Sequence, residues 1–194
     1  MPISLKTLIL VFGLPLFLMA CETPLQEQNF SDLTFTHLTP IKLNVSKIDV
    51  VVQYNPPLRA PNVEHLFPTL PVAAIKQWAK DRLRAAGASG EAKLIIIKAG
   101  AVEKQLLRKE GFAAALTRQQ TQRYDATLEV RLEIIGYLEQ GATLAHVTRF
   151  TTVSEDATIN ERERAWFELT EALARDFDSV IEENIRQHLS QWLR

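Results

Sequence analysis

Between residues 124 and 134 the chain alternates without a fault. Tyr124, Ala126, Leu128, Val130, Leu132 and Ile134 fall on one side, and Asp125, Thr127, Glu129, Arg131 and Glu133 on the other. A period of two belongs to a strand, whose successive side chains point to opposite faces. One apolar and one charged face suit an antiparallel sheet with one side on the core and the other against water or a partner. The fold must therefore supply a covered sheet face, and the remaining elements are read for what covers it.

Proline and glycine divide the chain: all nine prolines lie at or before Pro71, and every glycine after Gly13 lies at or beyond Gly87. Upstream, Ile41, Leu43 and Val45 alternate in one phase and Ile48, Val50, Val52 and Tyr54 in the other. A strand cannot change phase without an extra residue, so a bulge or kink is expected near Ser46-Lys47. A proline-rich connector follows. Pro71 then suits the first turn of a helix with Val72, Ile75, Ala79, Leu83 and Ala86 on one face, and Gly87 is its expected stop. Lys93-Leu94-Ile95-Ile96-Ile97, apolar in both phases, reads as a central strand covered on both sides. Glu139-Gln140-Gly141-Ala142 reads as a hairpin loop before a fourth strand over residues 143–154. Asn160, with Glu163 three residues on, reads as the N-cap of a last helix whose stripe runs from Trp166 to Trp192.

The order is strand, helix, strand, strand, strand, helix. A right-handed crossover makes the first two strands parallel, and hairpins add the others antiparallel. The expected fold is α+β: a two-layer sandwich of a four-stranded mixed sheet with both helices on one face, forming a single domain over residues 41–194.

With 22 Lys+Arg against 23 Asp+Glu, the 194-residue chain has no broad field for nucleic acid. One cysteine excludes an internal disulfide. That cysteine follows a distinctive leader. Lys6 is the only charged residue among the first twenty, and residues 8–18 form an apolar run of 11. At about 1.5 Å per residue the run covers roughly 16 Å, too short to span a bilayer but the size of a signal-peptide core.

Leu18-Met19-Ala20-Cys21 resembles a bacterial lipobox, with Met19 in place of the usual small residue. The resemblance implies a signal peptide over residues 1–20, cleavage before Cys21, and acyl chains on that cysteine. Residues 21–40 then become the lipidated N-terminus and a polar tether. It also implies a place in the cell envelope, facing the periplasm. Glu22 differs from the aspartate associated with inner-membrane retention, so the outer membrane is expected, with the inner membrane as the alternative.

Motifs that carry chemistry are scarce in the chain. There is no nucleophile elbow, P-loop or dinucleotide fingerprint, and His37, His65, His146 and His188 are scattered without zinc spacing. No enzyme activity, metal or cofactor is expected beyond the lipid on Cys21. Glu64-His65 could orient a proton transfer, but one adjacent pair specifies no geometry, and a packing role is favoured. Residues 103–122 form a long excursion in which bases and apolar side chains interleave. Lys104, Arg108, Lys109, Phe112 and Arg118 are its candidate partner contacts.

In element order, leader and size the mature chain resembles two groups of small envelope lipoproteins, the lipopolysaccharide-assembly type and the auxiliary lipoproteins of ABC-type transport. Tyr124-Asp125-Ala126-Thr127-Leu128-Glu129-Val130, the acid-rich start of the last helix, and Gln77-Trp78-Ala79 after the connector carry the likeness. The expected function is a lipid-anchored adaptor for a membrane transport or outer-membrane assembly partner. A carrier of a lipid-like ligand is the alternative and would need an apolar cavity of roughly 300 Å³ or more. An envelope hydrolase is the weakest reading.

Overall fold

The structure is a computed structural model and describes residues 28–107 and 119–194. Its elements are β1 (Ile41–Leu43), β2 (Lys47–Val52), α1 (Pro71–Arg82), β3 (Leu83–Ala85), β4 (Glu91–Gln105), β5 (Gln120–Ile135), β6 (Gln140–Ser154) and α2 (Ile159–His188). Short 3-10 turns occupy Glu64–Leu66 and Ser190–Trp192.

The main sheet has the order β2-β4-β5-β6. β2 and β4 run parallel, joined by the crossover through α1, and β4, β5 and β6 are antiparallel. Both helices pack on one face of this sheet and on each other. The α+β sandwich expected from the sequence is the fold observed.

The alternating residues of β5 explain why. Tyr124, Ala126, Leu128, Val130, Leu132 and Ile134 are all buried, and their cross-strand neighbours Ala92, Leu94, Ile96, Ala145 and Val147 complete one apolar layer. From the helices, Ile75, Trp78, Leu173, Phe177 and Ile181 meet that layer. Trp78 and Phe177 touch edge to face at 4.8 Å. Each such large apolar side chain contributes about 1.5–3 kcal/mol on burial, so the helix-facing side of the sheet supplies the bulk of the hydrophobic stabilisation.

The structure corrects several boundaries. The phase change near Ser46 is a break between two sheets rather than a bulge within one strand. β1 pairs in parallel with β3 in a separate two-stranded sheet, and β2 starts the main one. Consequently α1 ends at Arg82 instead of near Gly87, because Leu83–Ala85 gains a strand partner in Ile41–Leu43. Gly87 has a different use: a Cβ there would lie 2.5 Å from the backbone carbon of Asn44. The hairpin turns at residues 136–139, where Gly136 N–H donates to Glu139 O at 2.8 Å, and Gln140 and Gly141 already belong to β6.

The cap of α2 is Thr158, not Asn160. Its side chain accepts from Glu161 N–H, and the Glu161 carboxylate accepts from Thr158 N–H, the reciprocal capping box. The helix stops at His188, and Trp192 completes the stripe from a 3-10 turn.

β4 is central, as its composition suggests, but its second face is not covered by a helix. The register shifts between Ile96 and Lys98, so the inward side passes from Leu94 and Ile96 to Ala99 and Ala101. On the outward side Ile95 lies in register between Val51 and Arg131.

Candidate functional site

Residues 28–40 belong to the tether by composition, yet they lie along α1 and α2. Phe30 stacks on Phe167 of α2 with ring centroids 4.9 Å apart. Phe35 is buried in the core, and Leu33 and Leu38 pack against it. Burying this stretch requires partners for its backbone, and α1 provides them. Phe35 N–H donates to Asp81 Oδ2 at 2.9 Å, and Gln77 Nε2 steadies both Asp81 oxygens at 2.9 and 3.0 Å. Leu38 N–H closes a turn onto Phe35 O.

The second fastening is Arg82, only 2% exposed. Its Nε donates to Asp178 Oδ1 at 2.8 Å, one Nη to Glu182 Oε2, and the other to Thr39 O. Trp78 Nε1 donates to the same Asp178 oxygen at 2.7 Å. A buried guanidinium is tolerated only with its charge met and its N–H groups bonded, and three acceptors do that here. One arginine thus joins α1, α2 and the N-terminal segment.

Where this docked segment meets α2 it is bordered by grooves of about 700, 600 and 460 Å³. They open to solvent along α2 and mix polar with apolar lining, so they are not the enclosed apolar chamber that a lipid carrier needs.

Glu64 and His65 sit in the 3-10 turn beside β4, and the structure gives Glu64 a structural task. It is 3% exposed, accepts from Tyr54 O–H at 2.6 Å, and accepts from Ala101 N–H at 3.2 Å. Burial, and then the neighbouring carboxylate, push the Tyr54 phenol above its ordinary range. Gly100 makes room for that phenol, because a Cβ there would lie 2.6 Å from its oxygen. The carboxylate therefore ties the connector to an edge amide of β4 that β2 leaves uncovered. His65 carries a buried Nδ1 without a hydrogen-bond partner and makes no pair with Glu64.

Of the candidate partner contacts, Lys104 is described and lies at the end of β4. Its Nζ is 2.9 Å from Asp125 Oδ2, and Arg123 Nε donates to Asp125 Oδ1 at 2.8 Å. Partial burial pushes the Asp125 carboxyl up, and the two cations more than reverse this, so it titrates below the usual carboxylate range. The Arg123 guanidinium also lies 3.8 Å from the Phe150 ring centre. Arg108, Lys109, Phe112 and Arg118 lie outside the described residues, as do Cys21 and the leader. The ends of the excursion are strand: Leu106 N–H donates to Thr121 O, and Glu103 is paired with Tyr124.

Among the described residues no group of three or more His, Cys, Asp or Glu could hold a metal, and no helix is long and apolar enough to cross a membrane.

No protein-family model matches the chain, and no curated protein matches it. It is similar to several solved structures at low identity. Rare lipoprotein B from Shewanella oneidensis shares 8% identity at a TM-score of 0.39, covering 71% of this chain and 92% of that one. A minor lipoprotein from Acinetobacter baumannii shares 11% at a TM-score of 0.39, covering 75% and 96%. A DUF330-family protein from Xanthomonas campestris shares 11% at a TM-score of 0.29, covering 74% and 88%. Two of these neighbours are bacterial lipoproteins by name, and likenesses this remote carry no residue roles to this chain.

Proposed function

We propose that the protein is a lipid-anchored adaptor of the bacterial envelope, acylated on Cys21 and carrying a folded module that contacts a membrane transport or assembly partner. The observation that carries the reading is the spacing between Cys21 and the docked segment. Seven Cα-to-Cα steps separate Cys21 from Gln28, and at up to about 3.6 Å each they reach no further than roughly 25 Å. Phe30 is already fastened to α2. An acyl anchor on Cys21 therefore keeps the end of the sandwich that bears Phe167 close to the membrane surface, where a long free tether would let the domain wander.

The base of the excursion belongs to that same end. Gln120 pairs with Ser154, the last residue of β6, just before Thr158 caps α2. In this reading Lys104, Arg108, Lys109, Phe112 and Arg118 contact the partner near the membrane. Outer-membrane anchoring is the preferred destination on the basis of Glu22.

The test is crosslinking in intact cells followed by detergent extraction of the full-length protein. Recovery with one integral membrane protein, weakened by Arg108→Glu with Lys109→Glu, is expected. Recovery of the chain from the soluble fraction alone contradicts the proposal.

A further inference from the structure

The turn between β5 and β6 exposes two large apolar side chains next to one another. Tyr137 is 93% exposed and Leu138 88%. Isolated surface apolars need no explanation, but an adjacent aromatic–aliphatic pair at a protruding tip is unusual for a surface in water. The tip is a closed turn on a paired hairpin. The Gly136–Glu139 hydrogen bond closes the turn, and the strands behind it are paired from Gln120 to Ser154. Its base is braced by Trp192: a Cβ on Gly141 would lie 2.5 Å from that indole, and one on Gly136 3.7 Å from its Nε1. A closed turn presents the two side chains together, and an aromatic anchor of this kind is what lets a small contact carry energy.

Position and charge decide the occupant. Phe30 lies at Phe167, whereas Trp192 follows the far end of α2. The 22 steps from Phe167 to Leu189, at about 1.5 Å each, put roughly 33 Å between the two ends. The one ionisable carboxylate within residues 136–139 is Glu139, which is exposed and would be repelled by anionic headgroups.

We propose that this hairpin tip is a second docking point, in which Tyr137 and Leu138 enter an apolar socket with a basic rim on a protein remote from the anchoring membrane. The proposal rests on the adaptor reading and adds to it a contact at the opposite end of the molecule.

The test places a photocrosslinking p-benzoylphenylalanine at position 137, or separately at Lys98 or Glu171, in the full-length chain in intact cells. The expected result is one protein adduct from position 137, reduced about tenfold or more by Leu138→Ser and by Glu139→Lys. Both substituted side chains are in solvent, so unchanged melting temperatures confirm intact folding. Adducts from positions 98 or 171 but none from 137 overturn the tip while leaving the adaptor reading in place. Lipid adducts alone at 137, or an adduct indifferent to both substitutions, likewise overturn it. No adduct at any of the three positions also overturns the tip, and loss of co-recovery of the full-length chain with an integral membrane protein is what removes the adaptor reading.

Discussion

The Nε of Arg82 on α1 donates to Oδ1 of Asp178 on α2 at 2.8 Å, inside the packed interface between the two helices. The same guanidinium reaches Thr39 O, so the pair that joins the helices also fixes the chain arriving from the N-terminus.

Removing that cation leaves Asp178 partly buried without its neutralising partner, while Glu182 keeps its ion pair with Arg186. Arg82→Met is expected to lower stability by about 3 kcal/mol, the range for breaking one side of a buried pair, as read from urea unfolding. Limited proteolysis upstream of residue 40 should accelerate in the same variant, since Thr39 loses its donor.

Two glycines should respond differently to alanine. At Gly87 the new Cβ meets backbone, with Asn44 C at 2.5 Å and Val45 N at 2.6 Å. At Gly100 it meets the end of a side chain, the Tyr54 hydroxyl. Gly87→Ala is expected to cost about 1–3 kcal/mol. Gly100→Ala should cost about one hydrogen bond, roughly 1 kcal/mol, because it displaces Tyr54 from Glu64. Thermal melts of the two variants check the order.

The Tyr54 phenol gives an alkaline signature. Its folded pKa is raised above the ordinary value of 10.0 by burial and then by Glu64. The unfolded chain therefore releases this proton first, and stability falls as pH rises past about 10. Tyr54→Phe should flatten that alkaline fall. Chemical denaturation at pH 9 and pH 11 measures the difference in slope.

Asp176 gives the complementary acid signature. Hydrogen bonding to Arg149 on β6, with Nη2–Oδ1 at 2.8 Å, holds its carboxyl below the usual carboxylate value of 3.8. A lowered folded pKa contributes stability above about pH 4 that is lost as pH falls through the folded value. Asp125 acts in the same direction through Lys104 and Arg123. The double variant Asp176→Asn with Asp125→Asn should show a shallower acid limb than the parent chain in melts between pH 5 and pH 2.

What could be read from the residues was whatever local periodicity encodes. The alternation of β5, the Pro71 start of α1 and the stripe of α2 each carry their own signal over eight or more residues, and the sandwich follows from their order. Features set by distant partners were illegible. Phe30, Leu33, Phe35 and Leu38 have no period, and their docking depends on a surface made by α1 and α2, so the stretch reads as tether. Arg82 looks like an exposed helix residue until Asp178 and Glu182, about a hundred positions later, are brought to it. The polar ends of β4 and β5, such as Glu103 opposite Tyr124, lack the apolar alternation that marks a strand. Thr158 and Asn160 are both capping residues by type, and only the reciprocal bonds to Glu161 separate them. Tyr137 and Leu138 were hidden in a different way, since composition alone does not distinguish an exposed apolar pair from a buried one.

Intact-mass analysis of the protein extracted from cell membranes tests the central claim most directly. The account predicts a chain beginning at Cys21, heavier than its 174 residues by the mass of a diacylglyceryl group with or without a further acyl chain. A polypeptide that retains residues 1–20, with an unmodified Cys21 thiol, would contradict it.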